Sequence, residues 1–169
     1  MSDYRAAERH TIMSVELFEK ILHDLKEMEE RIKVVYLWGF GEPLMNQNLP
    51  YMVKRLREED VCRDIRIYTN GVLLTPEVGH ALVDNGVNLI RISLEGIDAE
   101  TYSQLCDYKI DYEQLIYNIT DLYHYSRGKM QLGIKVVNAS LKTKEDVDYF
   151  YDTFEKISDF IYIENIENV

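Results

Sequence analysis

Helix patterns and strand patterns alternate five times along this 169-residue chain, and this alternation constrains the fold more than any other feature. Each helix pattern places apolar residues at three-and-four spacing, and a short run rich in β-branched and aromatic residues follows it. No hairpin turn joins two neighbouring strand runs, so the strands are predicted to be parallel and joined by helical crossovers. The predicted strands cover residues 34–39, 65–69, 88–94, 131–137 and 160–163.

The order of the elements narrows this class further. An α/β barrel, a partial barrel and an open doubly wound sheet all contain such units. A βα barrel begins with a strand, whereas this chain begins with a loop and a helix and ends on a strand. We therefore expect an incomplete, TIM-like barrel whose first strand is absent, formed by residues 1–169 as a single domain.

Composition excludes several classes of function. The net charge is −11 and no basic run is present, which argues against nucleic acid as the main partner. No apolar run approaches the roughly 20 residues of a membrane span, and residues 1–10 are too polar for a signal peptide, so a cytoplasmic protein without membrane contact is predicted. Cys62 and Cys106 are the two cysteines, and their spacing predicts free thiols rather than a metal site.

The most distinctive loop follows the first strand run, Val34-Val35-Tyr36-Leu37. It reads Trp38-Gly39-Phe40-Gly41-Glu42-Pro43-Leu44. Gly39 and Gly41 permit positive φ or close approach of the backbone to a ligand, and Pro43 biases Glu42 toward an extended conformation. Carbonyls and a carboxylate gathered there would suit a ligand with an ammonium group. A simple strand-to-helix turn with a solvated glutamate is the alternative.

Polar residues also follow the later strand runs. Asn70, Ser93 and Asn138 stand, like Glu42, at the carboxyl ends of predicted strands. Parallel α/β folds place their ligand sites at this edge. We therefore expect these four side chains to share one mouth.

Four segments together resemble the core domain of radical S-adenosylmethionine (radical SAM) enzymes. They are Gly-Phe-Gly-Glu-Pro-Leu, Tyr-Thr-Asn-Gly, Ile-Ser-Leu-Glu-Gly and Gly-Ile-Lys-Val-Val-Asn, in this order on successive strands. The resemblance spans about Ser14 to Ile163. It implies a partial (β/α)6 barrel that binds S-adenosylmethionine (AdoMet), a small-molecule cofactor.

The resemblance also implies roles for individual residues. The loop residues Gly39, Phe40, Gly41 and Glu42 would receive the methionyl amine of AdoMet, and Ser93 would contact its ribose or carboxylate. Phe40 stands where the commonest form of the motif has a glycine, and Glu95 stands where the family has an aspartate. The remaining cofactor-binding candidates are Asn70, Lys135, Val137 and Asn138.

Two of these candidates carry particular roles. Val137 and Asn138 match the segment that commonly flanks the adenine in this family. Lys135 lies on the same side of its strand as Val137, where its ammonium would meet the cofactor carboxylate or balance nearby acid. An unrelated aldolase-like or isomerase-like barrel would instead use Glu42 and a desolvated Lys135 as a Schiff-base nucleophile.

The family's cluster motif is missing from this sequence. Members hold a [4Fe-4S] cluster on a C-x-x-x-C-x-x-C loop, because three thiolates must leave the fourth iron open to the cofactor. The two cysteines here are 44 residues apart. We therefore expect a truncated core, about strands two to six of a parent enzyme, with neither catalytic nor metal-binding residues and no reductive cleavage of AdoMet to a 5'-deoxyadenosyl radical.

Two further expectations follow. A naturally cluster-less barrel that serves as a nucleotide- or protein-binding module is the alternative to a truncated enzyme. The loss of the first strand would also leave residues 34–38 as an unpaired apolar edge, which favours self-association. The substrate is not predicted by these residues.

Overall fold

The computed structural model describes residues 12–39, 41–106 and 109–165. Residues 105 and 106 are described by their backbone alone. Helices and strands alternate along these ranges, apart from α4 and α5, which follow one another. The helices are α1 (Val15–Lys26), α2 (Leu49–Glu58), α3 (Pro76–Asp84), α4 (Ala99–Cys106), α5 (Tyr112–Ser126) and α6 (Lys144–Phe154). The strands are β1 (Ile32–Tyr36), β2 (Cys62–Thr69), β3 (Leu89–Leu94), β4 (Gln131–Val137) and β5 (Phe160–Glu164).

The five strands form one parallel sheet in the order β1-β2-β3-β4-β5. The predicted parallel order is therefore confirmed, and the sheet is open rather than closed into a barrel. Right-handed crossovers between sequential parallel strands place every connecting helix on the same face of the sheet. This is the architecture of a partial TIM-like barrel.

Local signals in the sequence determine where most helices begin. The side chains of Ser14, Thr75, Asp111 and Thr143 each accept a hydrogen bond from a backbone N–H in the first turn of α1, α3, α5 and α6, respectively. Asp146 completes a capping box with Thr143. Such caps satisfy backbone donors that have no partner within the helix.

The first helix and the first strand differ from the expected boundaries. The apolar spacing extended the helix pattern to Ile32, but α1 ends at Lys26 and Ile32 is the first residue of β1. Ile32 donates its N–H to the carbonyl of Val61, so pairing with the next strand overrides the helical periodicity. β1 therefore covers residues 32–36 rather than 34–39, and Trp38 and Gly39 lie in the following loop.

Alternate residues of each strand point to opposite faces of the sheet. One face packs against the helices and forms the main core. It carries the buried side chains of Ile65, Ile67, Ile90, Ile92, Leu94, Leu132, Ile134 and Val136. The opposite face, called here the polar face, carries Asp64, Arg66, Tyr68, Arg91, Ser93, Lys135, Tyr162 and Glu164. These side chains are half-buried, and no described helix belongs to this face.

None of the helices in the described ranges is long and apolar enough to cross a membrane.

Candidate functional site

Glu42 connects the loop after β1 to the end of β2. One carboxylate oxygen, Oε1, accepts hydrogen bonds from the N–H of Leu44 (3.0 Å) and from the hydroxyl of Thr69. The other oxygen, Oε2, accepts the N–H of Asn70 at 2.8 Å. A carboxylate has about four acceptor positions, so three bonds leave capacity for one further donor. Glu42 is therefore a structural brace that retains one acceptor for a ligand.

The space beside Gly39 and Gly41 holds no atoms from distant parts of the described chain. A Cβ built on Gly39 or Gly41 would meet no atom within 4 Å. Neither glycine is among the described residues with positive φ, so a left-handed turn does not explain them. Close approach of the backbone to a ligand stays a prediction. Phe40 lies outside the described residues.

The end of β2 forms a tight turn beneath Glu42. The hydroxyl of Thr69, which is buried, accepts the N–H of Gly71 at 3.0 Å, and the Oδ1 of Asn70 accepts the N–H of Val72 at 3.0 Å. Gly71 has φ +75°, and a Cβ there would lie 3.1 Å from Ile92. Because a side chain at position 71 would meet both strain and crowding, this glycine fixes the turn that orients Asn70.

A cavity of about 420 Å³ opens between these loops. Three predicted site residues, Glu42, Asn70 and Glu95, line it together. The remaining lining residues, which the sequence patterns did not single out, are Met45, Val72, Leu73 and Tyr102. Met45 and Leu73 are largely exposed, so the cavity combines two carboxylates with an accessible apolar wall.

The loop after β3 is held by contacts with neighbouring elements. The backbone N–H of Glu95 donates to the hydroxyl of Tyr102 at 3.2 Å, and its carbonyl accepts the hydroxyl of Ser140 at 2.8 Å. Ser140 ends the short 3₁₀ helix Asn138–Ser140, which follows directly after Val137 at the end of β4. Val137 and Asn138 therefore lie next to the Glu95 loop at the same edge of the sheet.

Ser93 and Lys135 are direct neighbours across β3 and β4 on the polar face. The ammonium of Lys135 donates to Glu164, the register partner of Val137 on β5. This hydrogen bond is the main reason that the pKa of Glu164 is lowered. The aldolase-like interpretation requires a desolvated Lys135 amine that is free to attack a carbonyl, whereas this amine is bonded to a carboxylate here.

The described residues do not provide a set of ligands for an iron-sulfur cluster. Cys62 is fully buried at the start of β2, the edge opposite to Glu42 and Asn70, and burial raises the pKa of its thiol. A raised pKa disfavours the thiolate that iron binds. Within the described ranges no group of three or more histidine, cysteine or acidic residues is arranged to hold a metal. These residues do not fit a [4Fe-4S] cluster, which requires three thiolates.

Comparison with known proteins decides the family. The sequence profile of the Radical SAM superfamily matches residues 3–157. The chain belongs to the radical SAM superfamily. The predicted family membership is thereby confirmed, and the parallel, open sheet agrees with it.

Curated relatives of this radical SAM domain include proteins of more than one activity. A GTP 3',8-cyclase of Petrotoga mobilis is 39% identical over 74 residues, covering 44% of this chain and 22% of the relative. A probable GTP 3',8-cyclase of Methanococcus maripaludis is 30% identical over 101 residues, covering 60% and 32%. A tungsten-containing aldehyde ferredoxin oxidoreductase cofactor-modifying protein of Pyrococcus furiosus is 35% identical over 83 residues, covering 49% and 22%. The matched region is thus at most about a third of each of these relatives.

Solved structures share the fold at low sequence identity. Native anSMEcpe with bound AdoMet superposes with a TM-score of 0.69 at 18% identity, covering 95% of this chain and 44% of that chain. Streptococcus suis SuiB bound to S-adenosylmethionine gives a TM-score of 0.60 at 11% identity, covering 96% and 48%. The radical SAM domain described here therefore has the fold of AdoMet-bound proteins.

Proposed function

We propose that this radical SAM domain binds AdoMet at the carboxyl edge of its sheet. The observation that carries the proposal is the arrangement of Glu42. Its carboxylate is fixed by three hydrogen bonds beside two unobstructed glycines, and it retains acceptor capacity toward the cavity. An ammonium group is a suitable donor to such a carboxylate.

The other predicted residues supply the remaining contacts in this proposal. Ser93 and Lys135 lie side by side. Ser93 offers a hydroxyl to the ribose or the methionyl carboxylate, and the ammonium of Lys135, which bonds Glu164, has two further N–H donors to offer. Asn70 and Glu95 border the cavity, and the proposal assigns the adenine to Val137 and Asn138 at the end of β4. The apolar wall formed by Met45, Val72 and Leu73 suits a purine or a thioether-like chain.

The reductive chemistry of the family depends on an electron from an iron-sulfur cluster. Two cysteines do not supply its three thiolates, so cleavage of AdoMet is assigned only to a protein in which three cysteines outside this sequence complete the site. For the 169 residues themselves, we propose cofactor binding without cleavage. The same cysteine count favours the second candidate, a cluster-less module that binds nucleotides.

Calorimetric titration of AdoMet tests the proposal. We expect Ser93→Ala to weaken AdoMet binding by roughly 2- to 10-fold, which corresponds to one neutral hydrogen bond. Thr120→Ala, which deletes a hydroxyl bonded within α5, is the matched control and should bind as the wild type does. If AdoMet does not bind, or if Ser93→Ala binds unchanged, the assigned site is wrong. If adenosine, which lacks the methionyl group, binds as tightly as AdoMet, the nucleotide-binding module replaces specific AdoMet binding as the proposed function.

The substrate of a complete enzyme is a separate matter. The relatives have different activities, and the region that matches this chain is a minor part of the length of each relative. Their activities are therefore not carried over.

A further inference from the structure

The polar face carries three cations, and one of them differs from the others. The guanidinium of Arg66 donates to Asp64 at 2.6 Å, and the ammonium of Lys135 donates to Glu164. Arg91 lies between them on β3 and takes part in no ion pair among the described residues. A cation that is half-buried without a carboxylate is unusual, since removal of its hydration is compensated only by contacts that carry less charge.

Aromatic rings, rather than acids, hold Arg91 in place. Its guanidinium carbon lies 3.6 Å from the centre of the Tyr68 ring, and Tyr68 is its register partner on β2. Its Nη1 donates to the hydroxyl of Tyr162 at 3.2 Å. Stacking fixes the plane of a guanidinium but leaves its charge uncompensated and its outer donors available.

A ring covers the β4 side of Arg91, and one donor of its guanidinium has no partner among the described residues. The register partner on β4 is Gly133, which contributes no side chain, although the ring of Phe160 covers that position. The Nε of Arg91 is shielded from solvent and has no acceptor among the described residues. An orphaned buried donor is an exception in folded proteins and points to an acceptor that is supplied from outside the chain.

The charges that face Arg91 do not neutralise it. Glu164 is the carboxylate whose ionisation Arg91 influences, but Lys135 already bonds it and is the larger cause of its lowered pKa. Asp64 is bonded by Arg66. Tyr68 contributes a ring and a hydroxyl whose pKa is raised by burial, and Tyr162 contributes the hydroxyl that accepts from Arg91. Arg91 is consequently a local positive centre on a chain whose net charge is −11.

We propose that Arg91 binds the oxyanion group, a carboxylate or a phosphate, of the substrate. The inference rests on the proposed function, because it places the substrate relative to AdoMet. Arg91 precedes Ser93 by two residues on the same face, which is roughly 6.6 Å along a strand. A substrate anchored at Arg91 would thus lie directly beneath a cofactor held at Ser93. The cofactor's own carboxylate has nearer N–H donors on Lys135, the register partner of Ser93, whose ammonium keeps donors beyond the one given to Glu164.

Nuclear magnetic resonance of the arginine Nε–H groups in the wild-type chain gives the direct test. Inorganic phosphate and acetate are titrated separately at constant ionic strength, with chloride as the reference anion. We expect a saturable shift of the Arg91 signal with phosphate or acetate and not with chloride, and the tighter of the two identifies the oxyanion class. An Arg91 signal that responds equally to all three anions, or to none, overturns the inference.

Two variants separate Arg91 from general charge effects. Arg91→Gln should weaken binding of the preferred oxyanion at least 10-fold, and Arg91→Lys, which keeps the charge but loses the planar fork, should also weaken it. Arg66→Gln is the matched control on the same face and should change it by less than 2-fold, because Arg66 is already bonded to Asp64. Equal losses from the Arg66 and Arg91 variants contradict a specific site. The wild-type titration decides the matter if Arg91→Gln does not fold.

Parallel AdoMet calorimetry distinguishes the two proposals. Unchanged AdoMet affinity in Arg91→Gln together with lost oxyanion binding supports a substrate site separate from the cofactor. Loss of AdoMet affinity in Arg91→Gln by the same factor assigns Arg91 to the cofactor carboxylate and overturns the inference. If the wild type binds the oxyanion through Arg91 but does not bind AdoMet, the oxyanion site stands and the proposed function fails.

Discussion

The carboxylate of Glu42 accepts the backbone N–H of Asn70 at 2.8 Å, and this bond joins two loops that are 28 residues apart in the sequence. The hydroxyl of Thr69 reinforces the connection at the other carboxylate oxygen. The residue that the sequence motif assigns to a ligand is therefore also a residue that positions the two neighbouring loops. A single substitution at Glu42 will affect both folding and binding.

Glu42→Ala should lower the free energy of unfolding by about 2 kcal/mol, the order expected when charge-assisted hydrogen bonds are lost and buried donors stay unpaired. Urea denaturation measures this change. Glu29→Ala, at an exposed position, is the control and should stay within about 0.5 kcal/mol of the wild type. Wild-type stability in Glu42→Ala would show that the carboxylate does not brace the loops.

Gly133→Ala should destabilise the sheet because a Cβ at this position would overlap the ring of Phe160. Overpacking of this kind lowers the free energy of unfolding by about 1 to 3 kcal/mol. Phe160→Leu shortens the opposing side chain, so the double variant should lose less stability than the sum of the two single variants. Strict additivity of the two effects in a urea-denaturation cycle would contradict the contact.

Cys62 should react slowly with iodoacetamide in the folded chain, because it is buried and burial raises its thiol pKa. The rate is followed by mass spectrometry in a Cys106→Ser background, with the unfolded chain in guanidinium as the reference. A raised folded pKa stabilises the protein below the ordinary thiol pKa, and this contribution is lost as the pH rises through the folded value. Equal rates in the folded and unfolded chain would contradict the burial.

Local sequence patterns predicted the elements well, because caps and alternation act within a few residues. Thr143 with Asp146, and Thr75 before Pro76, marked helix starts that the structure contains. Contacts between distant segments were not accessible in this way. No residue near Thr69 in the sequence indicates that its hydroxyl bonds Glu42. Arg91 is, in the sequence, one polar residue of a strand, and its stacking on Tyr68 becomes visible only in the structure.

The first strand illustrates the same limit at a boundary. Ile32 continues the helical spacing of α1, yet it pairs with Cys62 on β2 and donates its N–H to the carbonyl of Val61, both far along the chain. Non-local pairing decides between two locally acceptable states. Strand ends alone led us to expect Glu42, Asn70, Ser93 and Asn138 at one mouth, and of these Glu42 and Asn70 line the cavity. The apolar wall of Met45 and Leu73 depends on how the loops fold.

Self-association through residues 34–38 stays a prediction with a clear test. Among the described strands β1 lies at an edge of the sheet and pairs with β2 alone. Tyr36, its last residue, is 44% exposed, and Trp38 in the following loop is 57% exposed. Exposed apolar edges favour pairing with another chain, and lysine on an edge opposes it. Light scattering should detect dimers or larger species in the wild type and fewer in Tyr36→Lys. A monodisperse wild-type monomer at high concentration would exclude the association.

Anaerobic reconstitution with iron and sulfide should leave this chain without a [4Fe-4S] cluster. Three thiolates are needed, the sequence contains two cysteines, and Cys62 is buried at the edge of the sheet opposite to Glu42. Iron and sulfide analysis and visible absorption after desalting measure cluster content, and chromatography after dithionite measures 5'-deoxyadenosine. An authentic radical SAM enzyme with its three-cysteine loop is the positive control. AdoMet binding and AdoMet cleavage are then measured on the same sample. A chain that binds the cofactor, holds no cluster and forms no 5'-deoxyadenosine fits the proposed binding role. Four irons per chain with turnover would contradict it, because these 169 residues do not contain three cysteines to hold a cluster.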